Sequence, residues 1–314
     1  MLKYSIKRLL QSLLTLFIII TIVFLLMRLM PEEGYFGDAY EKLDEYQKEA
    51  ILESMGLRDP MYIQLLNFYK KLFKGDLGQS LTFRPKVPVV DIIKPKISYS
   101  LYFGLGAIAV SLLLGVSLGI GMARNKSGFW DNFGTGYIVF INAVPSAVYY
   151  LFLQLYLTKL FKLPMLFNID KPKSWILPII SMSLGGIASY AMWMRRYMVD
   201  ELNKDYVKLA RAKGLKSREI MVSHVFRNAF VPMAQYLPSA ILFTISGSIY
   251  IESLYSIPGM GGLLVEAIGR QDNVLVQALV IIYASIGIIG LFLGDILMAT
   301  FDPRIKLERK GGAR

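Results

Sequence analysis

The sequence predicts an all-α, polytopic membrane protein with six transmembrane helices. Hydrophobic residues make up 54% of its 314 residues and charged residues only 18%, which is too apolar for a soluble chain of this length. The apolar residues also fall in long continuous blocks instead of the patterns of a soluble fold. Because there is no cysteine and a single histidine, a disulfide framework, a thiolate metal site and a cysteine nucleophile are excluded, and an imidazole-rich metal site is disfavoured.

Six apolar blocks reach or approach the roughly 20 residues that a helix needs to cross a hydrocarbon core about 30 Å thick. The predicted spans are Leu9 to Met27, Ser98 to Ala123, Gly134 to Leu157, Trp175 to Met194, Val231 to Leu254 and Val274 to Thr300. The first span is followed by Arg28 and two glutamates, where small residues would mark a cleavage site. We therefore expect a retained signal anchor.

Basic residues set the predicted orientation, because Lys and Arg in short loops resist translocation. The formal net charge is +12, and nine basic residues lie in the loop 195–230 alone. This distribution predicts cytoplasmic N- and C-termini. It also explains the basic excess by topology, so we expect a lipid bilayer and no nucleic acid as the partner of these charges.

The spans divide the chain into four predicted parts. Residues 1–30 form a cytoplasmic tail and the first helix, 31–97 an extracytoplasmic segment, 98–301 a core of five helices, and 302–314 a cytoplasmic tail. Within the extracytoplasmic segment, the pattern predicts one helix from Glu41 to Met55, stopped by Gly56, and an amphipathic helix from Pro60 to Phe73. We interpret this segment as a cap on the outer face.

The loop 195–230 contains a basic amphipathic helix, predicted from Asp200 to Gly214. Gly214 is placed as a left-handed C-cap, and Ser217 as the N-cap of a second helix. One apolar stripe is expected at Leu202, Tyr206, Leu209 and Ala210. The pattern fits two functions equally well: a helix lying on anionic lipid, or an element docking in a groove of a cytoplasmic partner.

Sequence motifs favour the second function. The run Asp205-Tyr-Val-Lys-Leu-Ala-Arg-Ala-Lys-Gly-Leu215 and the run His224-Val-Phe-Arg-Asn-Ala229 resemble the cytoplasmic loop of permease subunits of binding-protein-dependent ABC importers. The chain is similar to the oligopeptide, dipeptide and nickel branch, and most to its B-type oligopeptide permease subunits. Three further segments carry the resemblance: Gly75 to Ser80, Ile257 to Leu263, and Asp302 to Arg304.

The chain departs from the general signature of that family, Glu-Ala-Ala, three residues, Gly, nine residues, then Ile-x-Leu-Pro. Lys208 and Leu209 replace Glu-Ala. His224, Phe226 and Arg227 replace Ile, Leu and Pro. These departures match the peptide branch itself.

The resemblance implies a type I ABC importer fold and a coupling loop that contacts an ATPase. The implied coupling residues are Asp205, Tyr206, Leu209, Ala210, Arg211, Ala212, Lys213, Gly214, Leu215, His224 and Arg227. It also implies a second paralogous permease subunit, two ABC ATPase subunits, an extracytoplasmic peptide-binding protein and a peptide substrate, in a prokaryotic cell membrane. ATP and Mg²⁺ would be bound by the ATPases, with no cofactor in this chain, and no phosphate-binding Gly-x-x-x-x-Gly-Lys-Ser/Thr loop occurs in the sequence.

Irregular or ionisable residues within spans are the candidates for a substrate pathway or hinge. They are Asn142, Pro145, Pro178, Pro238, Glu252 and Asp295. For the two carboxylates a structural role is the alternative, with Asp295 pairing a basic residue. His224 is expected to be a satisfied structural histidine. Gly115, Gly119 and Gly121 are expected to permit close helix packing, and Trp193 and Tyr197 to lie in interface belts.

Other functions remain open at this level. A nickel or small-chelate permease of the same family fits the same spans. A self-sufficient channel or ion-coupled carrier belongs to a different class, but such a carrier would be expected to contain internal repeats and a denser relay of charges. A third alternative is a membrane scaffold whose basic loop only binds lipid.

Overall fold

The computed structural model describes residues 2–301, whose regular secondary structure is helical and includes no β-strand. The helices are α1 (Leu2–Arg28), α2 (Glu45–Ser54), α3 (Met61–Phe73), α4 (Val89–Arg124), α5 (Phe129–Ala143), α6 (Ser146–Phe161), α7 (Ile176–Leu202), α8 (Asp205–Ala212), α9 (Ser217–Glu219), α10 (Arg227–Ala234), α11 (Leu237–Ile245), α12 (Ile249–Tyr255), α13 (Met260–Gly269) and α14 (Asn273–Phe301). A π-helix, Ile220–Phe226, joins α9 to α10. The predicted tail 302–314, with the Asp302 to Arg304 motif, lies outside the described residues.

Six spans are present if two of them are counted as broken. Helices α1, α4, α7 and α14 are each long and apolar enough to cross a membrane. The third predicted span is two helices, α5 and α6, bent by 108°, and the fifth is a run from Ser217 to Ile245 bent by 46° from α12. The prediction of six spans therefore holds when each bent pair is counted as one span.

Each break has a local cause. Val144 is extended, and Pro145, which has no N–H to continue a helical ladder, precedes the first residue of α6. Between α11 and α12, Gly247 takes a left-handed conformation with φ +71, which glycine adopts without steric cost. Pro145 was among the predicted hinge candidates.

The centre of the bundle is the pair α4 and α7. A Cβ at Gly115 would lie 2.8 Å from the carbonyl oxygen of Ile187, and one at Gly119 would lie 2.7 Å from that of Ala191. Only glycine allows the two backbones to approach this closely, which confirms the packing role of these two positions. A Cβ at Gly121 would make only an ordinary contact, 3.9 Å from Trp130.

Two ion pairs fasten other helices to one another. Asp131 is buried at the start of α5 and accepts from Arg195 of α7 at 2.5 and 2.9 Å, and from the Ser127 N–H at 2.8 Å. Arg8 of α1 lies 3.3 Å from Asp295 of α14. The predicted structural pairing of Asp295 with a basic residue is thus confirmed.

The segment between α1 and α4 lies at the end of the bundle where α1 ends, and its helix α3 packs against α1. Helix α2 begins at Glu45, later than predicted, because Asp44 caps it and forms a reciprocal capping box with Gln47. It ends as expected before Gly56, which has φ +71. Arg58 then contacts Glu32 and Glu49, and its hydrogen bond holds the pKa of Glu49 below the ordinary value. Helix α8 lies at the opposite end, packed on the last turns of α7.

Candidate functional site

The predicted coupling helix is broken. Instead of one helix from Asp200 to Gly214, α7 ends at Leu202 and α8 begins at Asp205. Lys204 interrupts the helix with an extended backbone, φ −73 and ψ 149. As a result α8 is a short helix separate from α7.

Gly214 ends α8 with the predicted left-handed cap. Its φ is +81, its N–H donates to the Arg211 carbonyl at 2.9 Å, and the Leu215 N–H donates to the Ala210 carbonyl at 3.2 Å. These two bonds form a Schellman motif, which satisfies carbonyls that the helix end would leave free. Nothing lies within 4 Å of a Cβ built at Gly214, so the backbone conformation alone requires glycine here.

Helix α8 has one buried face and one exposed face. Val207 is 0% exposed and Ala210 7%, and both pack with Met194, Met198 and other apolar residues of the bundle. Leu209 is 57% exposed and points away from this core. The predicted stripe was therefore wrong at Leu209 and missed Val207, because the break at Lys204 rotates α8 relative to α7.

Tyr206 connects three segments at this end. Its hydroxyl donates to Glu201 of α7 at 2.6 Å and accepts from the Asn228 amide of α10 at 3.3 Å. Burial, together with the bond to Glu201, raises the pKa of Tyr206 above its ordinary value. The neutral phenol is thus the form that holds α7, α8 and α10 together.

The second half of the predicted coupling loop differs from expectation. Lys216, not Ser217, is the N-cap residue, and the side chain of Ser217 makes no capping bond. His224 and Arg227 are exposed, on and just after the π-helix. Within residues 2–301 the His224 side chain has no hydrogen-bond partner, which contradicts the expected satisfied histidine. A π-helix inside a longer helix often marks a functional site.

The remaining predicted coupling residues occupy both faces of α8. Asp205 begins the helix and pairs with Lys208 at 2.8 Å on the exposed surface. Arg211 and Ala212 are exposed in its last turn, and Lys213 forms its cap. Leu215 packs back against the buried cluster.

A cavity of about 500 Å³ runs between α4, α7 and the α10–α11 segment. It is lined by Gly104, Ala107, Ile108, Ser111, Met182, Gly186, Ser189, Tyr190, Trp193, Tyr197, Met233, Tyr236, Ala240, Phe243, Thr244 and Gly247. None of these residues carries a formal charge. From Met182 to Tyr197 the α7 wall alone extends about 22 Å, and α11 contains no buried residue, so the cavity is a long trench open on one side.

The predicted pathway residues do not line this trench. Asn142 and Pro145 are exposed at the bend between α5 and α6, Pro178 is buried in the first turn of α7, and Pro238 begins α11. Trp193 and Tyr197, expected in interface belts, stack 5.7 Å apart and line the trench instead. Their spacing of four residues on one helix face was the available signal.

Glu252 is buried and holds the glycine-rich turn before α13 in place through hydrogen bonds. The residue is 2% exposed. Its carboxylate accepts hydrogen bonds from the Ser100 hydroxyl at 2.7 Å and from the Gly262 N–H at 3.0 Å. Ser100 accepts in turn from the Met260 N–H at 2.8 Å. A Cβ at Gly247 or Gly259 would collide with the carboxylate, so the structural alternative for Glu252 is the one that its contacts support.

A second buried carboxylate was missed from the sequence. Asp272 is 0% exposed and its Oδ2 accepts from the Ser80 hydroxyl and from three consecutive N–H groups, those of Leu81, Thr82 and Phe83, at 2.6 to 3.1 Å. Its other oxygen accepts from the Leu275 N–H at 3.0 Å and caps α14. Asp272 therefore joins the segment before α4 to the start of the last helix.

Comparison with known proteins identifies the family. Residues 115–307 match the family described as "Binding-protein-dependent transport system inner membrane component", and residues 1–90 match the N-terminal model of these membrane components. The chain belongs to this family. It is thus a multi-pass membrane component of a binding-protein-dependent transport system, and the two matched ranges include α8, the α7, α10 and α11 walls of the trench, and the Asp272 contact with α14.

Curated members of this permease family are similar along the whole chain. The dipeptide transport system permease protein DppB of Lactococcus lactis is 33% identical over 313 residues, covering 98% of this chain and 100% of the relative. DppB of Bacillus subtilis is 31% identical over 318 residues, with 99% and 100% covered. The oligopeptide transport system permease protein OppB of Escherichia coli K12 is 33% identical over 308 residues, with 98% and 100% covered.

Proposed function

We propose that this permease forms one half of an ATP-driven pore that imports peptides delivered by an extracytoplasmic binding protein. The relatives that it matches end to end are named as dipeptide and oligopeptide permeases. A second, paralogous permease subunit provides the other half, and two ABC ATPases bind ATP and Mg²⁺. None of the relatives cited here is named for nickel, so peptides are the favoured substrate class.

The observation that carries this proposal is the apolar cluster that α8 shares with the walls of the trench. Val207 and Ala210 of α8 belong to one cluster with Met194 and Met198 of α7 and with Met233 of α10, and the π-helix packs against all three helices. Met233 itself lines the trench, and so does Tyr197 beside Met198. A displacement of α8 would reach two of the trench walls through this cluster, because packed interfaces shift between discrete arrangements.

The exposed face of α8 supports docking on an ATPase. Leu209 presents an apolar side chain beside Lys208 and Arg211, all of them exposed. Such a short helix fits a groove in a cytoplasmic partner. Closure of the ATPase pair on ATP would then favour one orientation of α8 and shift the spans between inward-open and outward-open states.

The trench supports a peptide pathway that is shared between two subunits. Its wall offers tyrosine, serine and threonine hydroxyls among apolar side chains and no charge. Such a wall can pass peptides of varied sequence, because no side chain in it would pair with or repel a particular charge. The second permease subunit would close the open side.

In the proposed orientation both termini and α8 are cytoplasmic. The segment before α4 and the turn containing Met260 then face the binding protein. The basic composition of the loop 195–230 is the support for this orientation.

Site-directed crosslinking tests the ATPase contact, and the absence of native cysteine makes it clean. A Leu209→Cys variant, expressed in the native membrane, should crosslink to an ABC ATPase, which mass spectrometry would identify together with a second permease and a binding protein. Tyr46→Cys, also exposed but at the opposite end, is the matched control and should crosslink to no ATPase. Recovery of this chain alone from both variants would overturn the proposal.

A further inference from the structure

Helix α3 lies alongside α1 and not above it. The rings of Phe24 and Phe68 lie 5.0 Å apart, and those of Phe17 and Tyr69 stack at 5.1 Å. The Tyr69 hydroxyl donates to the Phe17 carbonyl at 3.1 Å and shares a hydrogen bond of 2.7 Å with the Thr21 hydroxyl. The two helices are thus antiparallel, with the C-terminal half of α3 reaching the level of Phe17.

Phe17 lies inside the apolar span Ser5–Arg28. Phe17 precedes Arg28, the last residue of α1, by eleven residues, which corresponds to about 16 Å along the helix. The hydrocarbon core that α1 crosses is about 30 Å thick. On the surface of α1 beside this contact, Leu13 and Phe17 are 52% and 51% exposed, as lipid-facing side chains of a span are.

The outward surface of α3 is apolar. Tyr62, Leu66 and Phe73 are 66%, 57% and 86% exposed, and with Tyr69 they follow a spacing of four, three and four residues. This spacing places them on one face of the helix. Through the stacked rings of Tyr69 and Phe73, 6.1 Å apart, the stripe is continuous with the lipid-facing surface of α1.

The polar residues of α3 lie on its other side. Gln64, Asn67 and Lys71 line a cavity of about 930 Å³, together with Arg28 of α1, residues 53–57 and the first turns of α14. Gln64 donates to the Leu57 and Asp59 carbonyls at 2.9 and 2.8 Å, and accepts from Arg28 at 2.8 Å. The amides and Lys71 therefore face a cavity that also contains charged side chains, and not the apolar stripe.

We propose that α3 is a membrane-inserted amphipathic helix whose exposed side chains Tyr62, Leu66 and Phe73 are covered by lipid acyl chains. The partner is the bilayer leaflet on the side of α2 and α3. Lipid is favoured as the occupant because the stripe continues a surface that a spanning helix already exposes to lipid, at a depth where a soluble partner does not reach. Aromatic and leucine side chains opposite a polar face are the composition of interfacial helices.

A fluorescent probe at single cysteines tests the proposal directly. Leu66→Cys and Phe73→Cys would be labelled with an environment-sensitive nitrobenzoxadiazole dye, in the full chain reconstituted in nanodiscs whose lipids carry nitroxide on the acyl chains. Asn67→Cys, adjacent in sequence but on the polar face, and Tyr46→Cys on α2 are the matched controls. The test requires no transport, so it is independent of the proposed import function.

The expected result is blue-shifted emission and strong quenching at positions 66 and 73, with severalfold weaker quenching at positions 67 and 46. Water-like emission without quenching at 66 and 73 would overturn the proposal. So would a blue shift that arises only after the binding protein is added, because the stripe would then be a protein docking site.

Discussion

The Ser80 hydroxyl donates a 2.6 Å hydrogen bond to Asp272, a residue 192 positions further along the chain. Both residues are 0% exposed. The same carboxylate oxygen accepts three backbone N–H groups that follow Ser80, and Ser80 in turn accepts from the Arg84 N–H at 2.8 Å. This contact fixes the segment before α4 on the first turn of α14.

Loss of the Asp272 carboxylate should destabilise the protein strongly. Asp272→Ala leaves several buried donors unpaired and removes the cap of α14, at a cost of about 3 kcal/mol or more. Ser80→Ala should cost about 1–2 kcal/mol. Thermal unfolding of the purified chain in detergent measures both. Thr82→Ala, which keeps its N–H to Asp272, is the control, and equal melting temperatures for all three variants would contradict this account.

At position 214, conformation rather than space should decide which residues function. Valine in the left-handed region is strained by about 1–2 kcal/mol, whereas asparagine tolerates it. We expect Gly214→Val to abolish peptide uptake while membrane insertion stays normal, and Gly214→Asn to retain most uptake. Uptake of labelled peptide, normalised to the amount of protein in the membrane, is the measurement. Equal activity of the two variants would argue that the cap has no role, as a lipid-binding loop would predict.

The two faces of α8 should respond differently to a charge. Leu209→Asp, on the exposed face, should leave stability within about 0.5 kcal/mol but prevent copurification of the ATPase. Val207→Asp buries an unpaired carboxylate and should destabilise the protein by about 3 kcal/mol or more. Copurification and thermal unfolding of both variants separate docking from folding. Normal ATPase recovery with Leu209→Asp would contradict docking through this face.

A charge placed in the trench should create selectivity that the neutral wall lacks. The Ser189 hydroxyl lies on the trench and donates to the Gly185 carbonyl of its own helix at 2.9 Å. Ser189→Asp should favour basic over acidic peptides about fivefold, from roughly 1 kcal/mol between charges in a watery passage. Ser189→Asn, of the same size, should change neither rate. Competition between labelled peptides measures the ratio, and identical ratios in both variants would place the pathway elsewhere.

Much of the architecture could be predicted because it depends on local rules. The apolar blocks located all six spans. Gly214 marked the end of a helix because a left-handed cap favours glycine. The ion pair of Asp295 was foreseen because a carboxylate near the end of an apolar span needs a cation. The family itself was predicted from ordered motifs and is confirmed by the match of residues 115–307.

What could not be predicted depends on contacts distant in sequence. Asp272 resembles an ordinary loop aspartate until Ser80 is brought beside it. The orientation of α8 that buries Val207 depends on the extended backbone at Lys204. Lysine is not a helix-breaking residue, so the sequence contains no signal for this break. From the sequence alone, Trp193 and Tyr197 fit an interface belt as well as a trench wall. The trench could not be predicted from single helices because it forms only where α11 lies opposite these residues.

The most direct test of the central claim is the energy source of uptake. Peptide uptake would be measured in proteoliposomes containing this permease, its copurifying subunits and the binding protein. The proposed mechanism requires uptake to depend on ATP inside the vesicles and to persist when ionophores collapse all ion gradients. Uptake that continues without ATP but stops with the ion gradient would contradict it and identify an ion-coupled carrier.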